Sequence, residues 1–244
     1  MGIVRYELKI LARKLRLYII LGVVFVQFYF PNYIDKCFTL IQKGYTPPEH
    51  YVIKMYSDAF SVIIFSFAVF FLAEMILKEK NLKMEDLIYS KPVSPLRIFL
   101  SKFSTGVVIV LFAGGIMFLY TLINEVYYHT SYSITIYIRD YIVDFAPLMI
   151  FCVSFVFFVA VLSRSTKITY IIHFIFVWFF MMVFKDENPH IGKFFNVYEF
   201  NAKLNITFTE HLELRAILLL ISIAMLISGY FLYKKYLISN RSGF

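Results

Sequence analysis

The chain has 244 residues, 60% of them hydrophobic and only 16% charged, with a mean hydropathy of +0.73. Soluble domains run about 45–50% apolar and about 25% charged, so an excess of this size exceeds what one globular core holds and must face lipid. The net charge of +8 belongs to cations gathered at the ends of apolar runs, the pattern of membrane topology rather than of a nucleic-acid surface.

An all-α integral membrane protein is therefore expected. A hydrocarbon core about 30 Å thick takes about 20 apolar residues per helix. Six segments meet that demand: 17–33, 59–77, 103–123, 143–162, 168–184 and 214–233. Before the first, residues 1–16 place Val4, Leu8, Leu11 and Leu15 on one helical face and Arg5, Lys9, Arg13 and Arg16 on another. That is either an interfacial helix, apolar side in the acyl boundary, or a simple basic flank. The run that follows ends in FPNYIDK with no small-residue cleavage site, which argues against a removed signal.

Six crossings put both termini on one side. With the N-terminus inside, sixteen of the 24 Lys and Arg fall in cytoplasmic segments and eight outside. This two-to-one bias predicts an N-in, C-in arrangement in the plasma membrane.

Between the second and third spans lies 78–102, KEKNLKMEDLIYSKPVSPLRIFLSK. Lys78, Lys80, Lys83, Lys91, Arg97 and Lys102 outnumber Glu79, Glu85 and Asp86, so the segment is expected in the cytoplasm. Met84, Leu87 and Ile88 recur at i, i+3 and i+4 and give a short helix one apolar stripe. Glu85, Asp86 and Tyr89 lie beside that stripe and suit contacts with a protein partner. Pro92 ends this helix because it cannot donate to the ladder. Ser94 and Pro95 then read as the N-cap and first position of the next helix.

With Glu74 near the end of the second span, this stretch resembles the ABC-2-type transporter permeases. The resemblance rests on Glu74, Leu87–Ser90, Lys91, Pro92, Val93, Ser94, Arg97 and Lys102 in this order between spans two and three. Ser101 stands where that family commonly has glycine. The motif covers about thirty residues and the architecture essentially the whole chain. The resemblance implies a single transmembrane domain over 1–244, with 1–16 as an elbow helix and 78–102 as the coupling segment. It implies that Met84, Glu85, Asp86, Leu87, Ile88, Tyr89, Lys91, Pro92 and Ser94 dock on an ABC ATPase subunit. It also implies a second permease, identical or related, to complete the pathway, and a structural or gating role for Glu74 and Lys102.

The chain carries no G-x-x-x-x-G-K-[ST] phosphate loop. ATP and Mg are accordingly expected on the separate ATPase subunit, and no cofactor, metal or nucleic acid on this chain. Nor does it contain G-x-S-x-G, H-E-x-x-H or a metal-spaced His/Cys cluster, so an enzyme is not expected. Cys37 and Cys152 fall at different depths and are not expected to pair.

On the outer side, 125–142 is rich in Tyr, and 185–213 carries Ile191, Phe194, Phe195 and Tyr198 at helical spacing. The latter is either a re-entrant gate element, as the resemblance suggests, or an amphipathic surface helix. Phe194, Phe195 and His173, the last inside the fifth span, complete the gating candidates; His173 is also read as a structural histidine bonded to a neighbouring helix. Asp58, Asp144 and Arg215 are expected at outer helix ends, within reach of water. Gly106, Gly114 and Gly115 lack the G-x-x-x-G spacing but allow close helix approach.

Two functions from different classes follow: the membrane subunit of an exporter, or a membrane scaffold or immunity-type protein with no transport cycle. The aromatic spans suit a hydrophobic or amphipathic substrate such as a peptide, and suit plain lipid contact equally. Low glycine and abundant Lys, Ile, Phe and Tyr give a bacterial impression.

Overall fold

The computed structural model describes residues 64, 68–77, 94–127, 134–177 and 208–241. Among these there is no strand. The elements are α1 (Ala68–Leu77), α2 (Pro95–Tyr127), α3 (Ile134–Asp140), a π-helical turn (Tyr141–Phe145), α4 (Ala146–Ser163), α5 (Thr166–Phe176) and α6 (Phe208–Arg241). Three stretches are long and apolar enough to cross a membrane: Pro95–Ile116, Tyr141–Ser163 and Leu212–Lys235. The shorter α1 and α5 lie in the second and fifth expected spans. The first span, the helix expected over 1–16 and the outer segment 185–207 lie outside the described residues.

α4 is the central element. Residues on every side of it are buried, from Pro147 and Leu148 through Cys152 and Val156 to Val161. A helix apolar all round belongs inside a bundle, and α4 packs against α6, α2 and α5. α1 is likewise buried along its length, whereas α2, α5 and α6 turn apolar side chains outward. Leu220, Ile223, Ile227 and Phe231 form an exposed stripe on α6, and Val108, Phe112 and Leu119 another on α2. A bundle with a dry centre and greasy outer faces is built for a lipid surround.

Three sequence signals explain where the helices start and stop. Ser94 caps α2: its hydroxyl accepts from the Arg97 amide at 3.3 Å and its carbonyl from Ile98 at 3.2 Å, and Pro95 takes the first helical position, where a missing N–H costs nothing. Pro147 disturbs the other end of the core helix. Its ring clashes with the carbonyl four residues back and it has no N–H to give, and the ladder widens into the π-turn Tyr141–Phe145 immediately before it. Between α4 and α5 the chain reverses through Arg164, which is left-handed at φ 52° and returns its N–H to the Ala160 carbonyl at 2.9 Å. Ser165 then caps α5 and Ser163 meets Thr169 Oγ1 at 3.0 Å. The five residues left between the expected fourth and fifth spans, 163–167, thus make a tight turn.

The helices differ from expectation in length. α2 has 33 residues and α6 has 34, so at 1.5 Å per residue each is about 50 Å long, well beyond a hydrocarbon core. The 125–142 segment, expected as an outer connection, is helical at both ends: α2 continues to Tyr127 and α3 begins at Ile134. A hydropathy window stops at the first polar residues, whereas the backbone ladder runs through them.

The π-turn is accommodated by glycine. Phe145 lies against Gly114 of α2 so closely that a Cβ there would stand 2.0 Å from the ring, while at Gly115 the nearest atom would be Tyr141 Oη at 3.7 Å. Tyr141 donates its hydroxyl to the Leu111 carbonyl, and Phe118 stands edge-on to both rings, 5.0 Å from Tyr141 and 5.3 Å from Phe145. Gly114→Ala is expected to lower stability by about 1–3 kcal/mol, the usual cost of overpacking, despite its better helix propensity. Gly115→Ala is expected to stay within about 0.5 kcal/mol of the parent. Thermal unfolding of the two variants in the same detergent checks the contrast.

Candidate coupling site at the α1–α2 junction

The segment most suggestive in sequence joins α1 to α2, and the structure describes both of its abutments. Residues 78–93 between them, including Met84, Glu85, Asp86, Leu87, Ile88, Tyr89, Lys91 and Pro92, lie outside the described residues, as do Phe194 and Phe195. The site is therefore built from Glu74 and Met75 on α1 and from Ser94 to Gly106 on α2.

Lys102 is its centre. The side chain is 1% exposed and its ammonium donates to the Met75 carbonyl at 2.9 Å. An ammonium removed from water needs strong acceptors, and a backbone carbonyl near the end of α1, where the helix dipole is negative, is a suitable one. One turn further along α2, Gly106 lets the helices close up. A Cβ at Gly106 would lie 2.7 Å from Leu72 Cδ2, 3.3 Å from Met75 Cε and 3.2 Å from Val153 Cγ1. The α1–α2 seam thus has a polar bond followed by a close-packed step, with α4 pressed against it.

The first turns of α2 are anchored on the other side by aromatic rings. Phe99, fully buried, meets Phe157 of α4 at 6.0 Å and Tyr230 and Tyr233 of α6 at 5.9 and 5.5 Å. Phe103 adds an edge contact to Phe157 at 5.7 Å. A third face of α2 is open: Ser94, Arg97, Leu100, Ser101 and Ser104 line a shallow groove. Thr105 is buried and bonds back to the Ser101 carbonyl at 2.8 Å.

α1 is held from its far side as well. Tyr170 of α5 donates to the Phe70 carbonyl at 3.3 Å, and Phe70 packs against the rings of Tyr170 and Phe174 at 5.0 and 5.6 Å. Two neighbouring helices therefore send side-chain donors to carbonyls of α1. Glu74, half-buried, lies between these two attachment points.

His173 belongs to a separate seam. It is completely buried on α5, 6.1 Å from the Phe155 ring of α4 and 6.3 Å from Phe174. Arg215 departs from expectation: it is 3% exposed rather than at a wet helix end. α6 begins at Phe208, so Arg215 sits two turns inside the helix instead of at its first residue.

Sequence reasoning named Glu74, Ser94 and Lys102 but missed Met75, Phe70 and Tyr170. The acceptors are backbone carbonyls, which leave no mark in a pattern of side chains, and Tyr170 reads only as one more aromatic in a greasy span. Gly106 was legible in sequence as a place of close helix approach, and α1 meets α2 there.

Comparison of the chain with protein-family models, with curated proteins and with solved structures finds no match.

Ser94 is tested by its cap. Ser94→Ala removes the side-chain acceptor and is expected to cost about 1 kcal/mol, whereas Ser94→Asp keeps an acceptor at the helix start and is expected to match the parent. Equilibrium unfolding of both variants in mild detergent reads the difference.

Proposed function

We propose that this chain is the membrane subunit of an ATP-driven exporter of the ABC-2 type. In this reading six helices cross the plasma membrane of a bacterium with both termini inside. Residues 78–93 lie in the cytoplasm as a coupling element, and a separate ATPase subunit carries ATP and Mg. A second permease copy or a related permease completes the pathway, and the cargo is a hydrophobic or amphipathic molecule such as a peptide.

The observation that carries the proposal is the construction of the α1–α2 junction. A polar segment able to present Leu87, Ile88 and Tyr89 is flanked by two helices tied to each other through Lys102 and by a helix start fixed by Ser94 and Pro95. The buried ammonium and the close-packed glycine step give that segment a firm footing, which suits a mechanical role. The order Glu74, Lys91-Pro92-Val93-Ser94, Arg97 and Lys102 supports the same family reading. In this reading hydrolysis falls to another polypeptide, in keeping with a sequence that carries no phosphate loop.

The reading is tested by affinity isolation of the detergent-solubilised chain from its host, with mass spectrometry of what accompanies it. An ABC ATPase is expected with the parent and is expected to be lost when Leu87→Asp and Ile88→Asp are combined. Recovery of other intact membrane complexes without any ATPase would leave the membrane scaffold as the better account.

A further inference from the structure

We propose that α2 carries a binding site for one anionic phospholipid, its phosphate held by Arg97 with Ser101 and Ser104 and an acyl chain laid along Val108 and Phe112. The site depends only on α2 lying in a membrane and holds whether or not an ATPase docks on the chain.

It begins in the shallow groove of about 380 Å³ lined by Ser94, Leu96, Arg97, Leu100, Ser101 and Ser104. Arg97 is exposed, and among the described residues no carboxylate pairs with it. The first acid on α2 is Glu125, about 42 Å further along the helix. Lys102, the other cation of these turns, is directed away into its bond with the Met75 carbonyl. The groove therefore presents a guanidinium fork with open donors, and a phosphate takes such a fork bidentately.

Ser101 supplies an independent sign. Thr105, Ser154 and Ser222 each return the hydroxyl to the carbonyl four residues back at 2.8 Å, the usual resort of a hydroxyl on a helix in an apolar medium. Ser101 does not: its Oγ is buried and has no hydrogen-bond partner, a costly state for a hydroxyl held from water. It stands one turn from Arg97 on the groove wall, where a phosphate oxygen seated on the guanidinium completes its bonding. Ser104, exposed a turn deeper, offers a second hydroxyl. The amides of the helix start are not called on, since Ser94 already takes that of Arg97.

Beyond the groove the same face turns apolar. On a helix of 3.6 residues per turn, Arg97, Ser101, Ser104, Val108 and Phe112 fall within a sector of about 80°, and Val108 and Phe112 are 56% and 61% exposed. Val108 stands about 17 Å past Arg97, and half of a hydrocarbon core is about 15 Å. A cation, two hydroxyls and then bare hydrocarbon thus follow one another at the spacing of a phospholipid's headgroup and acyl chain.

Quenching by brominated lipid reads the occupancy. A bimane on a cysteine at position 108, with Cys37→Ser and Cys152→Ala, is placed in vesicles of equal parts phosphatidylcholine and phosphatidylglycerol. One lipid or the other is dibrominated in its acyl chains. A label at position 220, exposed on a face of α6 that carries Glu213, is the reference. Phosphatidylglycerol is expected to be preferred at 108 by about fivefold, the increment of one cation at an anionic surface, and not to be preferred at 220. Arg97→Gln is expected to abolish the preference at 108, and Ser101→Ala to lower it. A parent preference at 108 no greater than at 220 would overturn the site and needs no variant to fold. A preference that survives Arg97→Gln would overturn it as well. So would a 108 label that neither lipid quenches while 220 is quenched, because a second copy of the chain, rather than lipid, would then cover this face.

Discussion

In a lipid surround a buried ammonium has few acceptable neighbours, and the bond from Lys102 to the Met75 carbonyl is the interaction around which this end of the bundle is arranged. A hydrogen bond to a charged group contributes about 1.5–3 kcal/mol, and more is at stake where the alternative is an ammonium without acceptors. That demand brings α1 to α2. Gly106 allows the approach, Leu72 and Met75 fill the seam, and Val153 brings α4 against the same point. The glycine eases the close approach, and the bond helps to hold the step in register.

The same pairing of a glycine with a bulky partner recurs towards the other end of α2. There Gly114 receives Phe145, and the widened turn forced by Pro147 brings Tyr141 within reach of the Leu111 carbonyl. α2 is thus keyed at two levels, to α1 by Lys102 and Gly106 and to the approach of α4 by Gly114. In both places a polar side chain reaches a backbone carbonyl of the neighbouring helix, as Tyr170 does at Phe70. Between helices in an apolar medium, apolar packing alone has no preference over lipid, and such bonds give contacts a register.

Much of this was legible in the sequence where a local rule applies. Ser94-Pro95 announced a helix start, Ser163–Lys167 left room only for a tight turn, and the apolar runs located α2, α4 and α6. Helix length was not legible, because polar residues such as Asn124 and Glu125 end a hydropathy window without ending a helix. For the same reason Arg215 was placed at a helix end and is found two turns inside. Of the site, the charged partner Lys102 stood out, while its acceptor did not: any residue of α1 offers the same carbonyl, and only the crossing of the helices selects Met75. The basic segment between two apolar runs located the junction; the bond that holds it is a property of three-dimensional packing.

The account requires that the α1–α2 junction face the cytoplasm. We would place a single cysteine at position 88, with Cys37→Ser and Cys152→Ala, and treat intact cells and inverted vesicles with a membrane-impermeant maleimide. Labelling in inverted vesicles and none in intact cells is the predicted result. Labelling from outside intact cells would put the junction on the wrong side of the membrane for an ATPase and would contradict the account at its root.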